Sequence, residues 1–281
     1  MFNKMAEVRE NIPLSGGHYL LSLYSPAQAR VTRPGQFAML RLPNRSDILL
    51  RRPMSIYDVK PASRKSKSPA LIQVLYKVVG RGTGAMAELK GGDALEVLAP
   101  LGHGYFREDY QRKLPQVDEV VHVAGGIGIA ALLLAARELH KRGIRQRLFF
   151  GGRSRADLVC YKDFGGLVQK TILATEDGSR GHKGFVTVPL ENHLAGSERG
   201  KILLMVCGPW PMLEACVGLA RNYGHPCLVS MENRMGCGVG VCLGCSIGVK
   251  GEGHGAYERV CTEGPVFWAD HVRWAGGTPE I

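Results

Sequence analysis

Along the first hundred residues the apolar positions fall in short β-prone runs, each cut off by Gly or Pro: His18–Ser25, Gln36–Leu42, Met54–Val59, Leu71–Val79 and Ala94–Leu98. Short strands at regular spacing with turn residues between them predict a small β-barrel. One helical turn at Ala85–Leu89, straight after Gly82-Thr83-Gly84, interrupts it. The rhythm changes after Arg112. Val120–Ala124 has the composition of a buried strand, and Ile129–Arg142 that of a helix stopped by Gly143. Arg147–Phe150, Lys170–Thr175, Leu203–Cys207 and Cys227–Ser230 read as further strands, with a helix from Pro209-Trp210-Pro211 through Asn222. Strands alternating with helices predict a parallel α/β sheet. From Met231 onward Gly and Cys cluster and no long periodic element follows. The expected class is therefore β plus α/β. A barrel domain spans 1–112, a central α/β domain 113–230, and a cysteine-rich segment 231–281.

That last segment is too short to bury a core of its own, so a bound metal centre would supply the missing stability. Its cysteines read Cys237-x4-Cys242-x2-Cys245, with Cys261 fifteen residues further on. This is the plant-type spacing for a [2Fe–2S] cluster. Three thiolates must converge from one loop, and Gly236, Gly238, Gly240 and Gly244, interleaved with the ligands, let that loop curl and let backbone N–H groups approach sulfur. Structural zinc also takes four thiolates, but usually from two C-x2-4-C knuckles, and no His stands at a ligand spacing as a Rieske centre would need. The spacing favours iron–sulfur over zinc. Of the other four cysteines, Cys160, Cys216 and Cys227 read as inert, and Cys207 stands apart because of its neighbours.

Composition narrows the classes further. The chain has 281 residues, 45% of them hydrophobic and 22% charged, ordinary for a globular protein with two cores. The longest apolar stretch, Val120–Ala136, contains His122 and three glycines and reads as strand, turn and helix instead of a membrane span. Met1-Phe2-Asn3-Lys4-Met5 lacks the apolar core of a secretory signal, so the expected compartment is the cytoplasm, where eight cysteines are metal-bound or free. The net charge of +11 is spread along the chain, which argues against a nucleic-acid stripe and for a solvated surface or an acidic partner. Its densest run, Arg64-Lys65-Ser66-Lys67 between Pro61 and Pro69, is expected at an exposed hairpin tip.

Three short motifs point to nucleotides. Arg52-Pro53-Met54-Ser55 enters a barrel strand, where an arginine fork can hold a pyrophosphate and a serine can offer its hydroxyl to a flavin ring. Gly80-Arg81-Gly82-Thr83-Gly84 follows a strand and opens a short helix, a second phosphate-friendly element. Gly126 to Ala131 fits G-x-G-x-x-A in the right strand–turn–helix context. The acidic residue expected after the next strand is missing. Arg153 and Arg155 stand there, leaving NAD and NADP both open. Cys207-Gly208-Pro209, at a strand end, would let a nicotinamide ring come close to a flavin.

The order R-P-x-S, G-x-G-T, G-G-x-G, C-G-P and then four cysteines resembles the ferredoxin–NADP reductase superfamily. Within it, residues 230–245 (SMENRMGCGVGVCLGC) and 257–267 (YERVCTEGPVF) are similar to the electron-transfer subunits of the FMN-dependent, NAD-linked (class 1B) dihydroorotate dehydrogenases. The resemblance covers nearly the whole chain. It implies that Arg52, Pro53, Met54, Ser55, Leu75, Tyr76, Lys77, Gly82 and Thr83 bind FAD. It implies that Gly126, Gly128, Cys207, Gly208 and Pro209 form the nicotinamide nucleotide site, and that Cys237, Cys242, Cys245 and Cys261 hold the cluster. The implied partner is a separate FMN-containing catalytic subunit, in a heterotetramer of two of each, which itself carries the dihydroorotate site. Where the superfamily has an aromatic residue, this chain has Met54. The implied function is electron transfer between that FMN and NAD in pyrimidine biosynthesis, through the cluster and FAD. The alternatives are an independent NAD(P)H-dependent FAD/[2Fe–2S] reductase, a subunit of a hydrogenase or transhydrogenase-type complex, and a non-catalytic zinc module. No acid–base pair or nucleophile of the hydrolytic kind is expected.

Overall fold

The computed structural model describes residues 1–43, 45–60, 62, 70–112, 114–251 and 256–274, so the charged run at 64–67 lies outside the described residues. Strands β1 (Phe2–Pro13), β2 (His18–Tyr24), β3 (Phe37–Arg41), β4 (Arg52–Lys60), β5 (Leu71–Lys77) and β6 (Ala94–Leu101) close a barrel in the order β1-β2-β5-β4-β3-β6. The first strand has no clear sequence signature, because only Ala6 and Val8 of its side chains are buried. It nevertheless closes the barrel by pairing with both β2 and β6. Helix α1 (Pro26–Val31) carries the buried Gln28, whose amide nitrogen donates to the carbonyls of Phe2 and Val97, each at 2.9 Å. A polar side chain inside the barrel end is thus paid for by backbone acceptors.

Helix α2 spans Arg81–Ala87, four residues earlier than the turn expected at Ala85–Leu89. The glycines lie inside it because the Thr83 hydroxyl accepts the N–H groups of Val79 at 2.9 Å and Gly80 at 3.1 Å and so caps the helix start. A short helix α3 (Glu108–Gln111) leads out of the barrel.

The second layer is a seven-stranded sheet of β7 (Glu119–Gly125), β8 (Gln146–Gly152), β9 (Lys170–Thr175), β10 (His182–Lys183), β11 (Ile202–Cys207), β12 (Cys227–Ser230) and β15 (Val266–Trp268). Their order is β10-β9-β8-β7-β11-β12-β15, parallel except for β15, which runs antiparallel to β12. Helices α4 (Leu133–Lys141), α5 (Thr187–Ala195) and α6 (Trp210–Tyr223) pack against it. The helix expected over Ile129–Arg142 is split: Gly126–Ala131 is a 3-10 turn, and regular α-helix begins only at Leu133. The cause is close packing, since Gly128 presses on the end of β11 and leaves no room for a wider turn. From Met231 the described residues make only the three-residue strands β13 (Ser246–Gly248), β14 (Tyr257–Arg259) and β15, as the lack of periodicity implies.

One apolar core joins all three parts. Phe37, Met39 and Leu101 of the barrel, Val121, Val123 and Val206 of the sheet, and Met231, Cys245, Val260, Cys261 and Phe267 of the last segment belong to it. Among the described residues, no helix is long and apolar enough to cross a membrane.

His122, on the central strand β7, is fully buried in the sheet. The Gln146 amide nitrogen donates to the carbonyls of Ala136 and Leu167, so its oxygen is left to accept from His122 Nε2–H at 2.8 Å. Burial, opposed by that hydrogen bond, pushes the imidazole from its ordinary 6.5 down to about 4. The unfolded chain therefore binds the extra proton first. The stability cost is absent above pH 6.5, grows as pH falls, and levels off below about 4. At that limit the cost is about 3 kcal/mol. A His122→Asn variant keeps a donor for Gln146 but does not titrate. Urea unfolding between pH 7 and pH 4.5 should show its stability falling less steeply than that of the wild type.

Candidate functional site

The cysteine segment folds so that its thiols meet in two pairs. Strands β13 and β14 form a hairpin in which Ser246 is opposite Arg259, and the Val260 N–H donates to the Cys245 carbonyl at 3.0 Å. This register lays Cys261 against Cys245, and both are buried. The second pair comes from the preceding loop. Gly238 (φ +74°) and Gly240 (φ +82°) adopt the left-handed conformation that bends the chain between Cys237 and Cys242. The two thiols lie side by side, Cys237 half-buried and Cys242 exposed.

Burial works against ionisation of Cys237, but the N–H groups of Val239, Cys242 and Val241 and the Cys242 thiol more than offset it and bring its pKa down to about 6. A thiolate is the form that binds metal. Burial and the neighbouring Cys245 push Cys261 up to about 12. It would thus lose its proton on binding.

The four thiols lie as two pairs, Cys237 with Cys242 and Cys245 with Cys261, and a [2Fe–2S] centre takes two thiolates on each of its two irons, so the residues present fit such a centre.

On the barrel, Arg52, Pro53, Met54 and Ser55 form the half-buried start of β4. Arg52 lies directly against α2: a Cβ added to Gly82 would stand 2.1 Å from Arg52 Nε. The two phosphate-friendly motifs, thirty residues apart in sequence, are therefore one surface. Leu75 and Tyr76 are buried, Tyr76 stacking on Tyr19 at 5.5 Å and reaching Asn11 at 3.2 Å. With the Thr83 hydroxyl engaged in capping, these three residues have backbone groups, not side chains, to offer a ligand. Lys77 is partly exposed and binds Asp157 of the α/β domain at 2.6 Å.

The glycine motifs meet at the carboxyl ends of β7, β8 and β11, where parallel sheets hold ligands. Gly125, Gly126, Gly151, Gly152, Pro209 and Met212 line a cavity of about 500 Å³, within the usual range for small-molecule sites. A Cβ on Gly128 would stand 2.3 Å from the Cys207 carbonyl oxygen, and one on Gly208 would stand 3.0 Å from the Gly125 nitrogen. The two loops thus touch backbone to backbone. Burial holds the Cys207 thiol well above its ordinary pKa, so it stays neutral.

Lys77, Asp157 and Glu176 also line the cavity. Burial disfavours the Asp157 carboxylate, but Lys77 and Arg153, the latter at 3.4 Å, outweigh it and hold its pKa below the ordinary value. Asp157 and Glu176 carry no sequence signal as site residues, since neither falls at the fingerprint position after β8. Only the fold brings them to the cavity wall. Arg153 is exposed and tied to Asp157, so its charge is partly neutralised there.

A six-stranded barrel beside a 3-2-1-4-5 parallel sheet, with these loops between them, defines a reductase of the ferredoxin–NADP reductase type. The solved structure of an NADH-dependent reduced ferredoxin-NADP oxidoreductase, described for flavin-based electron bifurcation, superposes with a TM-score of 0.81 at 28% identity, covering 96% of this chain and 90% of that one. Residues 122–218 match the oxidoreductase NAD-binding domain, and residues 232–273 match the iron-sulfur cluster binding domain of dihydroorotate dehydrogenase B. The dihydroorotate dehydrogenase B (NAD(+)) electron transfer subunit of Desulforamulus reducens is 35% identical over 257 residues, 91% of this chain and 92% of that protein. That of Fusobacterium nucleatum is 34% identical over 265 residues, 94% and 96% of the two chains. This chain belongs to the family of dihydroorotate dehydrogenase B electron transfer subunits.

Two glycine substitutions separate fold from binding. Gly128→Ala meets backbone on β11 and should lower the unfolding free energy by about 1–3 kcal/mol. Gly82→Ala meets only the movable Arg52 side chain. It should leave the denaturation midpoint nearly unchanged and lower the flavin retained through purification, read by absorbance.

Proposed function

We propose that this chain carries electrons between a nicotinamide nucleotide and a separate FMN-containing dihydroorotate dehydrogenase subunit, by way of FAD on the barrel and a [2Fe–2S] cluster on the last segment. Net flow in pyrimidine biosynthesis then runs from dihydroorotate towards NAD⁺. The observation that carries this reading is the pairing of Cys237 with Cys242 and of Cys245 with Cys261, built onto the apolar core that barrel and sheet share. Bound flavin exchanges hydride with nicotinamide and single electrons with an iron–sulfur centre, and that is the chemistry these groups supply.

The chain's own residues position and shield. Arg52, with Gly82 leaving it room, holds the flavin pyrophosphate. Pro53, Met54 and Ser55 with the backbone of Leu75, Tyr76, Lys77 and Thr83 support the rest of the FAD. Gly126 and Gly128 let the nucleotide approach the sheet. The neutral Cys207, with Gly208 and Pro209, leaves a small uncharged opening for the nicotinamide ring. Asp157 and Glu176 on the cavity wall, with Arg153 already engaged by Asp157, suit a free ribose hydroxyl and disfavour a 2′-phosphate. This supports NAD as the nucleotide.

Val241 and Leu243 are 79% and 62% exposed beside the exposed Cys242. An apolar rim around a redox centre suits docking of the catalytic partner. We place the assembly as two copies of each subunit in the cytoplasm, and the domain limits at 1–112, 113–230 and 231–281.

The likeness to the ferredoxin-NADP oxidoreductase favours a second reading, a subunit of a transhydrogenase-type complex. Mixing the chain with an FMN-containing dihydroorotate dehydrogenase subunit decides between them. Dihydroorotate-dependent reduction of NAD⁺ should appear only in the mixture and fall at least about tenfold with Cys242→Ser. Equal NADPH-dependent ferredoxin reduction with and without that subunit, and no turnover of dihydroorotate, would replace the first reading with the second.

A further inference from the structure

Arg259 ends β14, two residues before the fourth cysteine. Its guanidinium makes a fork on Glu263, with Nε to Oε2 at 3.0 Å and Nη2 to Oε1 at 2.5 Å. The remaining arm, Nη1, donates to the Gly240 carbonyl at 3.0 Å, in the loop between Cys237 and Cys242. Glu263 also accepts the Arg259 backbone N–H at 2.7 Å and the Thr262 hydroxyl at 3.0 Å. The fit is tight on the loop side: a Cβ on Gly240 would stand 2.9 Å from Thr262 Cγ2 and 3.0 Å from Arg259 Nη1. One side chain therefore joins the turn that carries Cys261 to the loop that carries the other ligands. It is only partly exposed, at 36%. Its charge is also within Coulombic reach of Cys261 and Cys245.

We propose that the Arg259–Glu263 pair is a positioning and tuning device for the cluster: Arg259 clamps the ligand loop at Gly240 and raises the reduction potential, and Glu263 opposes that rise. This rests on the cluster reading above. Reduction adds negative charge to a centre already ringed by thiolates, so a nearby cation favours the reduced form and a nearby anion the oxidised form. Geometry and charge act through the same two residues but respond differently to substitution. Lysine keeps the charge, yet its single ammonium cannot hold the fork on Glu263 and reach Gly240 together.

The test uses the full chain, purified anaerobically as wild type, Arg259→Gln, Arg259→Lys and Glu263→Gln. Iron per chain is measured, and the reduced-cluster EPR signal is followed in a redox titration. Arg259→Gln should shift the midpoint to more negative potential and Glu263→Gln to more positive potential. Arg259→Lys should stay near the wild-type midpoint but lose iron faster in air. A role confined to holding the fold would move both Gln variants in the same direction, and that result, or no shift in either, overturns the proposal. If Arg259→Gln retains no iron, the sign of the Glu263→Gln shift and the Lys midpoint decide the matter. A wild-type chain with no such signal would overturn the cluster reading itself, and the proposal with it.

Discussion

The apolar seam between barrel and sheet is the constraint on which the rest of the structure depends. A segment of some fifty residues with no periodic pattern has no core of its own. Here it borrows one. Cys245 and Cys261 are buried in the same core as Met39 and Leu101 of the barrel and Val121 and Val206 of the sheet. Gly238 lies so close to Met39 that a Cβ would approach Met39 Cγ to 2.5 Å, and the His103 N–H donates to the Gly264 carbonyl at 2.6 Å. The ligand loop is thus held by the barrel, the part of the molecule on which Arg52 and Gly82 meet.

Polar links reinforce the seam. Lys77 on β5 reaches Asp157 at 2.6 Å, and the Ser15 hydroxyl donates to the Ala156 carbonyl at 2.9 Å. On the other side, buried Asp58 of β4 accepts from Arg137 of α4 at 3.1 Å. Asp157 and Asp58 are buried, so stripping these carboxylates of their cationic partners is costly. The links also set the cavity wall, since Lys77 and Asp157 both line the cavity at the carboxyl edge of the sheet. The same contacts that join barrel and sheet therefore shape the charge of that cavity.

Much of this was legible in the sequence. Five of the seven strands of the sheet, the glycine turn after β7 and the spacing of the four cysteines are local signals, because period, turn residues and ligand separation are written in neighbouring positions; β10 and β15 are too short to show such a pattern. The parts that escaped are those decided by contacts distant in sequence. Strand β1 has only two buried side chains and is a strand because β2 and β6 hold it on either side. The 3-10 turn at Gly126–Ala131 replaces α-helix because Gly128 meets Cys207 from β11. Asp157 and Glu176 carry no motif, and Arg259 and Glu263 lie in the 257–267 stretch with no role legible from it; their placement follows from sheet order and hairpin register. Arg153 and Arg155 leave NAD and NADP both open in the sequence, and the contact of Arg153 with Asp157 shows only in the fold.

The central claim is that the two cysteine pairs hold a binuclear iron–sulfur centre in a chain that also holds flavin. Iron, zinc and flavin quantified on one anaerobically purified sample, with its visible spectrum, test it most directly. The account predicts flavin bands over cluster absorption, with about one FAD and about two irons per chain. Stoichiometric zinc without flavin would contradict it.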